Sequence, residues 1–239
     1  MRNIKCVIAA GGLGTRLKDY RSSPTKMLLE VNGTPMINRQ INQLQNWGLE
    51  DFIIITNPEF EEMTKEVTGK EFTNVNIKYS VQDTPKGISH ALLQAEKYLT
   101  EDDTTVFILG DNFFEKNPLS EINLDSNSFD TGCYIFTYEV DDPKDFGVAE
   151  LDRFGKVISI EEKPDKPKSN NAVVGVYVFD GTVINKIKTL QPSSRGEYEI
   201  TDLCDLYIKE MSCSNVSFNG WWIDAGTPDR IEELESNLL

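Results

Sequence analysis

The stretch that decides the fold is Ile4-Lys5-Cys6-Val7-Ile8-Ala9-Ala10, followed by Gly11-Gly12-Leu13-Gly14-Thr15-Arg16-Leu17. The apolar run has the composition of a strand buried on both faces of a parallel sheet. The loop after it carries three glycines in four positions and then an arginine. Glycine lets backbone N–H groups approach a ligand with no Cβ in the way. Successive N–H groups in such a turn make an anion cradle, and Arg16 adds a fixed charge with a fork of donors. A phosphate chain is the simplest ligand for this loop. Its spacing, G-G-x-G-T-R, is neither the dinucleotide turn G-x-G-x-x-G nor the P-loop G-x-x-x-x-G-K-[ST]. The second apolar strand, 52–56, ends at Asn57 and not at the acidic residue that a dinucleotide site wants.

Outward from this loop, strand and helix patterns alternate. The periodicity predicts strands over 52–56, 75–81 and 105–109 and helices over 35–47, 59–68 and 88–99. That alternation argues for a mostly parallel sheet covered by helices on both faces. The second half reads as short strands over 133–140, 147–152, 157–162 and 173–179, with an exposed Pro- and Lys-rich loop over 163–171. Helices follow over 182–190 and 200–209, and a last strand over 221–223 ends at Asp224. No repeat and no linker divides the chain. We expect a single domain over 1–239, with a nucleotide-side half over about 1–112 and a sugar-side half over about 113–239.

The 239 residues are 39% apolar, enough for a sizeable core. The net charge of −15 opposes binding to a nucleic-acid backbone or an anionic membrane surface. No apolar run reaches transmembrane length and no signal peptide is legible, so a cytoplasmic protein is expected. Cys6, Cys133, Cys204 and Cys213 are widely spaced and read as reduced thiols, not as a zinc site. An acidic chain that handles nucleotides must collect positive charge locally or use a metal ion.

Two carboxylates stand at strand ends. Asp111 follows the apolar run 106–109, and Asp224 follows Trp222-Ile223. Ligands of open α/β sheets bind beyond the carboxyl ends of the strands. A carboxylate pair there suits Mg²⁺, which takes oxygen ligands and keeps waters and substrate phosphates in its shell. His90 is the only histidine, and its place on a helix gives it a structural reading. Tyr177, between Val176 and Val178, has core packing as the rival to any ligand contact.

The loop at 9–17, Pro24-Thr25-Lys26-Met27-Leu28-Leu29, Gln82-Asp83-Thr84-Pro85-Lys86-Gly87, Leu109-Gly110-Asp111-Asn112, Asp145-Phe146-Gly147-Val148, Glu161-Glu162-Lys163-Pro164, Val174-Gly175-Val176-Tyr177, Arg195-Gly196-Glu197-Tyr198 and Trp222-Ile223-Asp224-Ala225-Gly226 occur in one order. In that order and spacing the chain resembles the glucose-1-phosphate thymidylyltransferases among the sugar-phosphate nucleotidyltransferases, and most of all their short members, over nearly its whole length. The resemblance implies the Rossmann-like nucleotide-diphospho-sugar transferase fold. It implies that Ala10, Gly11, Gly12, Gly14, Thr15 and Arg16 hold a nucleoside triphosphate, and that Gln82 and Gly87 meet the pyrimidine edge. Asp111 and Asp224 would bind Mg²⁺. Gly147, Glu162, Val174 and Tyr177 would shape a sugar pocket, with Lys163 and Arg195 on the sugar phosphate. Arg16, Lys26, Asp111 and Lys163 would carry catalysis.

The implied reaction is in-line attack of glucose 1-phosphate on the α-phosphorus of dTTP, giving dTDP-glucose and pyrophosphate. The attacking phosphate is already ionised, so the task is to hold two polyanions in line and spread their charge. UTP is the alternative nucleotide, since thymine and uracil share one hydrogen-bonding edge and a methyl discriminates only by about 1–3 kcal/mol. A catalytically silent nucleotide-sugar binder is a further alternative. Phe146 stands where the family usually has Tyr, Leu13 where it has Ser or Thr, and Glu30 where it has Pro. Members are often homo-oligomers. The short stretch after Asp224 leaves no expectation of the regulatory or acetyltransferase segment of longer relatives.

Overall fold

The structure, a computed structural model, describes residues 3–12, 14, 17, 20–124 and 131–239. Strand β1 (Asn3–Ala9) leads to a small hairpin, β2 (Glu30–Val31) and β3 (Thr34–Pro35), and then to α1 (Met36–Asn46). Next come β4 (Asp51–Thr56), α2 (Glu61–Glu71), β5 (Asn76–Val81), α3 (Ile88–Leu93), β6 (Asp103–Leu109) and β7 (Asn112–Phe114). The second half holds β8 (Cys133–Glu139), β9 (Gly147–Leu151), β10 (Val157–Glu162), β11 (Asn171–Phe179), α4 (Val183–Ile187) and α5 (Ile200–Lys209). It closes with β12 (Cys213–Ser217), β13 (Trp222–Asp224) and α6 (Pro228–Asn237).

β1 lies at the centre of the main sheet, whose order is β10-β9-β11-β6-β1-β4-β5, with β8 and β12 branching from β11. The strands β6-β1-β4-β5 are all parallel, as the alternating sequence pattern requires. β11 joins β6 antiparallel and carries β9, β10 and β8 with it. Successive side chains of the central strands go to opposite faces. Cys6, Ile8, Phe52, Ile54, Val106 and Ile108 meet α1 and α6 on one face. Val7, Ile53, Ile55 and Phe107 meet α3, α4 and α5 on the other. Burial on both faces explains why these strands read as unbroken apolar runs.

α1 buries Met36, Ile37, Ile41 and Leu44, the apolar stripe seen in the sequence. The helix expected over 88–99 ends at Leu93. The backbone then tightens, with Gln94 and Ala95 donating to the carbonyls of Ala91 and Leu92, before a separate turn over Glu96–Tyr98. The strand β12 and the helix α6 carry only weak patterns in the sequence. No helix among the described residues is long and apolar enough to cross a membrane.

The chain leaves β1 toward β4 and β5, then returns to place β6 on the other side of β1. That reversal makes a crevice at the carboxyl ends of β1 and β6, where Ala9 pairs with Leu109 and Gly110 N–H donates to the Ala9 carbonyl at 3.0 Å. The functional residues gather there.

Candidate active site

Two clefts open along this edge and share Leu109, Asp111, Ile88 and Glu197 in their walls. The first has a volume of about 260 Å³ and is lined by Ala10, Gly11, Gly12, Lys26, Gln82 and Gly87 among others. Gly87 must be glycine: its φ is +101°, and a Cβ would stand 2.6 Å from the Tyr198 carbonyl oxygen. Gln82 is buried beside it, and its amide nitrogen donates to the Gly87 carbonyl at 3.1 Å and pairs with His90 Nδ1 at 2.9 Å. Leu13, Thr15 and Arg16, assigned from sequence to this phosphate loop, lie outside the described residues. Gly14 lies beside Lys26, although it does not line the cleft itself.

Asp111 is buried where the two clefts meet, and its carboxylate is ion-paired with Lys26. Burial alone would push Asp111 up. The Lys26 charge, with hydrogen bonds from Lys26 and Asn112, outweighs it and holds the carboxyl below its usual range. Asp224 is brought alongside by β13, which pairs antiparallel with β7 so that Asp224 faces Asn112. The Ala225 N–H donates to the Asp111 carbonyl at 2.8 Å, which ties the two strand ends together.

Asn112 is the hub behind this pair. Its Oδ1 accepts from Trp222 Nε1 at 2.7 Å and from the Gly175 N–H at 3.0 Å. Both partners can only donate, so the amide has one orientation and its Nδ2 faces Asp111 Oδ1, at 3.0 Å. Gly175 allows this approach, because a Cβ there would lie 2.5 Å from the amide.

The second cleft, of about 820 Å³, runs from Asp111 and Asp224 to the ends of β9, β10 and β11. Gly147, Glu162, Lys163, Tyr177 and Arg195 all line it. Lys163 holds a left-handed backbone, φ +44°, and its N–H donates to the Phe146 carbonyl at 3.0 Å. That conformation costs a non-glycine residue about 1–2 kcal/mol, and such strain gathers at functional sites. Arg195 reaches Glu162 at 3.4 Å, Glu199 at 3.5 Å and Glu197 at 3.6 Å. Burial and the neighbouring Glu199 push Glu162 up, against the pull of Lys163 and Arg195. Tyr177 is both core and wall: its ring stacks on Phe179 at 6.0 Å, and burial pushes its hydroxyl up. Val174, placed in the sugar pocket from sequence, is fully buried in the core on the α1 and α6 side. Its neighbours Val173 and Gly175 form the wall instead. This is the ordinary alternation of β11, with Ala172, Val176 and Val178 on the same core face as Val174.

The sequence of residues 5–239 matches the nucleotidyl transferase family model. The chain belongs to the nucleotidyl transferase family. Over 98% of its length it is 37% identical to a glucose-1-phosphate thymidylyltransferase of Xanthomonas campestris, covering 80% of that protein. A UTP–glucose-1-phosphate uridylyltransferase of Haloferax volcanii is 30% identical over 98% of this chain and 96% of its own. A solved structure of a glucose-1-phosphate thymidylyltransferase from Bacillus anthracis, in complex with sucrose, superposes with a TM-score of 0.88 at 37% identity, covering 98% of this chain and 94% of that one.

For a nucleotidyl transferase the clefts also hold residues that sequence reasoning passed over. Asn112 follows Asp111 directly and Trp222 stands two positions before Asp224, and that proximity to the singled-out aspartates is the available signal. Glu197, in the walls of both clefts, lies two positions after Arg195 in the motif that carried it. Arg230, at the start of α6, lines the second cleft and had no signal of its own.

Proposed function

We propose that this chain transfers a thymidylyl group from dTTP to glucose 1-phosphate, releasing pyrophosphate and forming dTDP-glucose. The observation that carries the reading is the pair of adjoining clefts with Asp111 in the wall of both. A nucleoside triphosphate in the first and a sugar phosphate in the second would meet at that carboxylate. The near full-length likeness to thymidylyltransferases supports the choice of substrates. In this reading the halves of the one domain divide the work, with about 1–112 holding the nucleotide and about 113–239 the sugar.

Asp111 and Asp224 fit Mg²⁺. They stand at the ends of paired strands, and among the described residues no third His, Cys, Asp or Glu completes a cage with them. Two carboxylates with room left for phosphate oxygens are what Mg²⁺ takes in nucleotide sites. Bound there, it would neutralise charge on the triphosphate and the leaving pyrophosphate. Lys26 sits where it can exchange its Asp111 partner for a phosphate oxygen. Lys163 and Arg195 would receive the sugar phosphate, and Glu162 would accept from sugar hydroxyls. Arg16 belongs with the triphosphate on the strength of the loop sequence. The sugar phosphate attacks the α-phosphorus with its own ionised oxygen, so no general base is assigned. Four buried free cysteines suit a reducing compartment such as the cytoplasm.

The test is pyrophosphate release with Mg²⁺, pairing dTTP, UTP, CTP, ATP and GTP with glucose 1-phosphate. Fastest turnover is expected with dTTP. Faster turnover with UTP would replace this reading by the uridylyl one, which the Haloferax relative favours. No turnover with any sugar phosphate would leave a silent nucleotide-sugar binder.

A further inference from the structure

Gln82 is the polar side chain placed to read a base in the first cleft, and a primary amide can offer a base either a donor or an acceptor. Which it offers is decided by what holds its other end. The Gly87 carbonyl can only accept, so the atom 3.1 Å from it is the amide nitrogen. The second hydrogen of that nitrogen points to His90 Nδ1, at 2.9 Å. Both N–H groups are then used inside the protein. Among the described residues nothing donates to Gln82 Oε1, and it is not sealed from solvent, so it remains as the group offered to the cleft.

A neutral imidazole accepts at only one nitrogen, and two amides compete for it: Gln82 Nε2 stands 2.9 Å from Nδ1 and Gln94 Nε2 stands 3.4 Å from Nε2, so the closer Gln82 contact assigns the lone pair to Nδ1 and the proton to Nε2. Burial and the Lys86 charge push its imidazole down, which keeps it neutral. The ring is held by stacking on Tyr198, with centroids 6.0 Å apart and planes 24° from parallel. Tyr198 is itself anchored by its N–H on the Lys86 carbonyl at 2.7 Å.

We propose that His90 is a positioning residue for base choice, locking Gln82 so that it presents an acceptor and thereby selects pyrimidines with an N3–H over cytosine. This rests on the nucleotide occupying the first cleft. Thymine and uracil carry a donor at N3, which Oε1 accepts. Cytosine carries a lone pair there and would face Oε1 acceptor to acceptor. Turning the amide to suit cytosine would break both internal bonds and set Oε1 against the Gly87 carbonyl. The lock does nothing to separate thymine from uracil, since their edges are identical.

The experiment compares dTTP and CTP, by calorimetric affinity and by kcat/KM, in the wild type, His90→Phe and His90→Asn. Phe keeps a ring on Tyr198 but has no acceptor. Asn returns an acceptor at the Nδ1 position. The dTTP-to-CTP ratio is expected to fall about 5- to 10-fold in His90→Phe, the worth of one hydrogen bond, and to recover in His90→Asn. An unchanged ratio in a folded His90→Phe overturns the proposal, as does equal binding of dTTP and CTP by the wild type. A readout free of any variant is the ¹⁵N spectrum of the imidazole, unambiguous because the chain has one histidine. An unprotonated Nδ1 is expected, and a proton on Nδ1 in the neutral ring overturns the lock. Failure of any triphosphate to bind or turn over would instead remove the thymidylyl reading, while the imidazole spectrum still decides the lock.

Discussion

Trp222 donates its indole N–H to Asn112 Oδ1 at 2.7 Å, joining two residues 110 positions apart beside the Asp111 carboxylate. The contact fixes the Asn112 amide so that its donor faces Asp111. Trp222→Phe keeps the aromatic packing against Tyr138 and Phe146 and removes only the donor and part of the ring. It should lower stability by about 1–3 kcal/mol, since the buried oxygen keeps only its bond from Gly175. Chemical denaturation measures this, and an unchanged midpoint would mean that the indole N–H does not support Asn112.

Gly175→Ala tests the same hub from β11. The new Cβ would lie 2.5 Å from the Asn112 amide carbon. Overpacking of this kind costs about 1–3 kcal/mol and would displace Asn112 from Asp111. A larger Mg²⁺ requirement for turnover, together with a lower denaturation midpoint, is expected. Wild-type values for both would show that β11 moves away freely.

Asp111→Asn should reduce turnover by about 100-fold or more while keeping the fold, because it removes a charge from the place where both clefts meet. Pyrophosphate release and far-UV circular dichroism check the two halves of this statement. The native carboxyl is held below its usual range, as burial is outweighed by Lys26 and Asn112. Its folded-state pKa is depressed, so its stabilising contribution is present above the ordinary carboxylate range. That contribution is lost only as pH falls through the depressed value. Asp111 therefore does not set an acid limb of activity near pH 5. Loss of that limb in a residually active Asp111→Asn enzyme would contradict this.

Glu162 behaves in the opposite sense. Burial and Glu199 raise its pKa, so the folded protein favours its neutral form, and that advantage is lost as pH rises through the raised value. Its role as an acceptor for sugar hydroxyls needs the ionised form. The KM for glucose 1-phosphate should therefore fall as pH rises from the ordinary carboxylate range through the raised value, with little change in the KM for dTTP. Glu162→Gln should abolish that component, leaving only the titration of the substrate phosphate. An identical pH profile in the variant would take Glu162 out of the sugar site.

Much of this architecture was legible locally. The runs at 4–10, 52–56 and 105–109 read as doubly buried strands, and the structure pairs them in parallel at the centre. Asp111 and Asp224 were found because each ends an apolar strand, and the structure sets those ends side by side. The helix over 88–99 was misjudged because its apolar spacing continues past Leu93 while the backbone bonds change register. The strand over 213–217 was missed because only Cys213 and Val216 in it are apolar. The motif assigns Val174 to the sugar pocket, yet the alternation of β11 puts its side chain with Ala172, Val176 and Val178 on the core face.

By itself, then, the sequence determined an α/β sheet, the loops that carry the chemistry and the family to which they belong, because periodicity and motif are properties of neighbouring residues. The tertiary structure alone decided that β11 lies antiparallel beside β6, which carries Glu162, Lys163 and Arg195 to the edge that holds Asp111. It alone decided which way the amides of Gln82 and Asn112 point. Those orientations are set by single donors and acceptors, His90 and the Gly87 carbonyl in one case, Trp222 and the Gly175 N–H in the other. Such partners meet only through long-range packing, so the sequence does not show which donor or acceptor an amide will face.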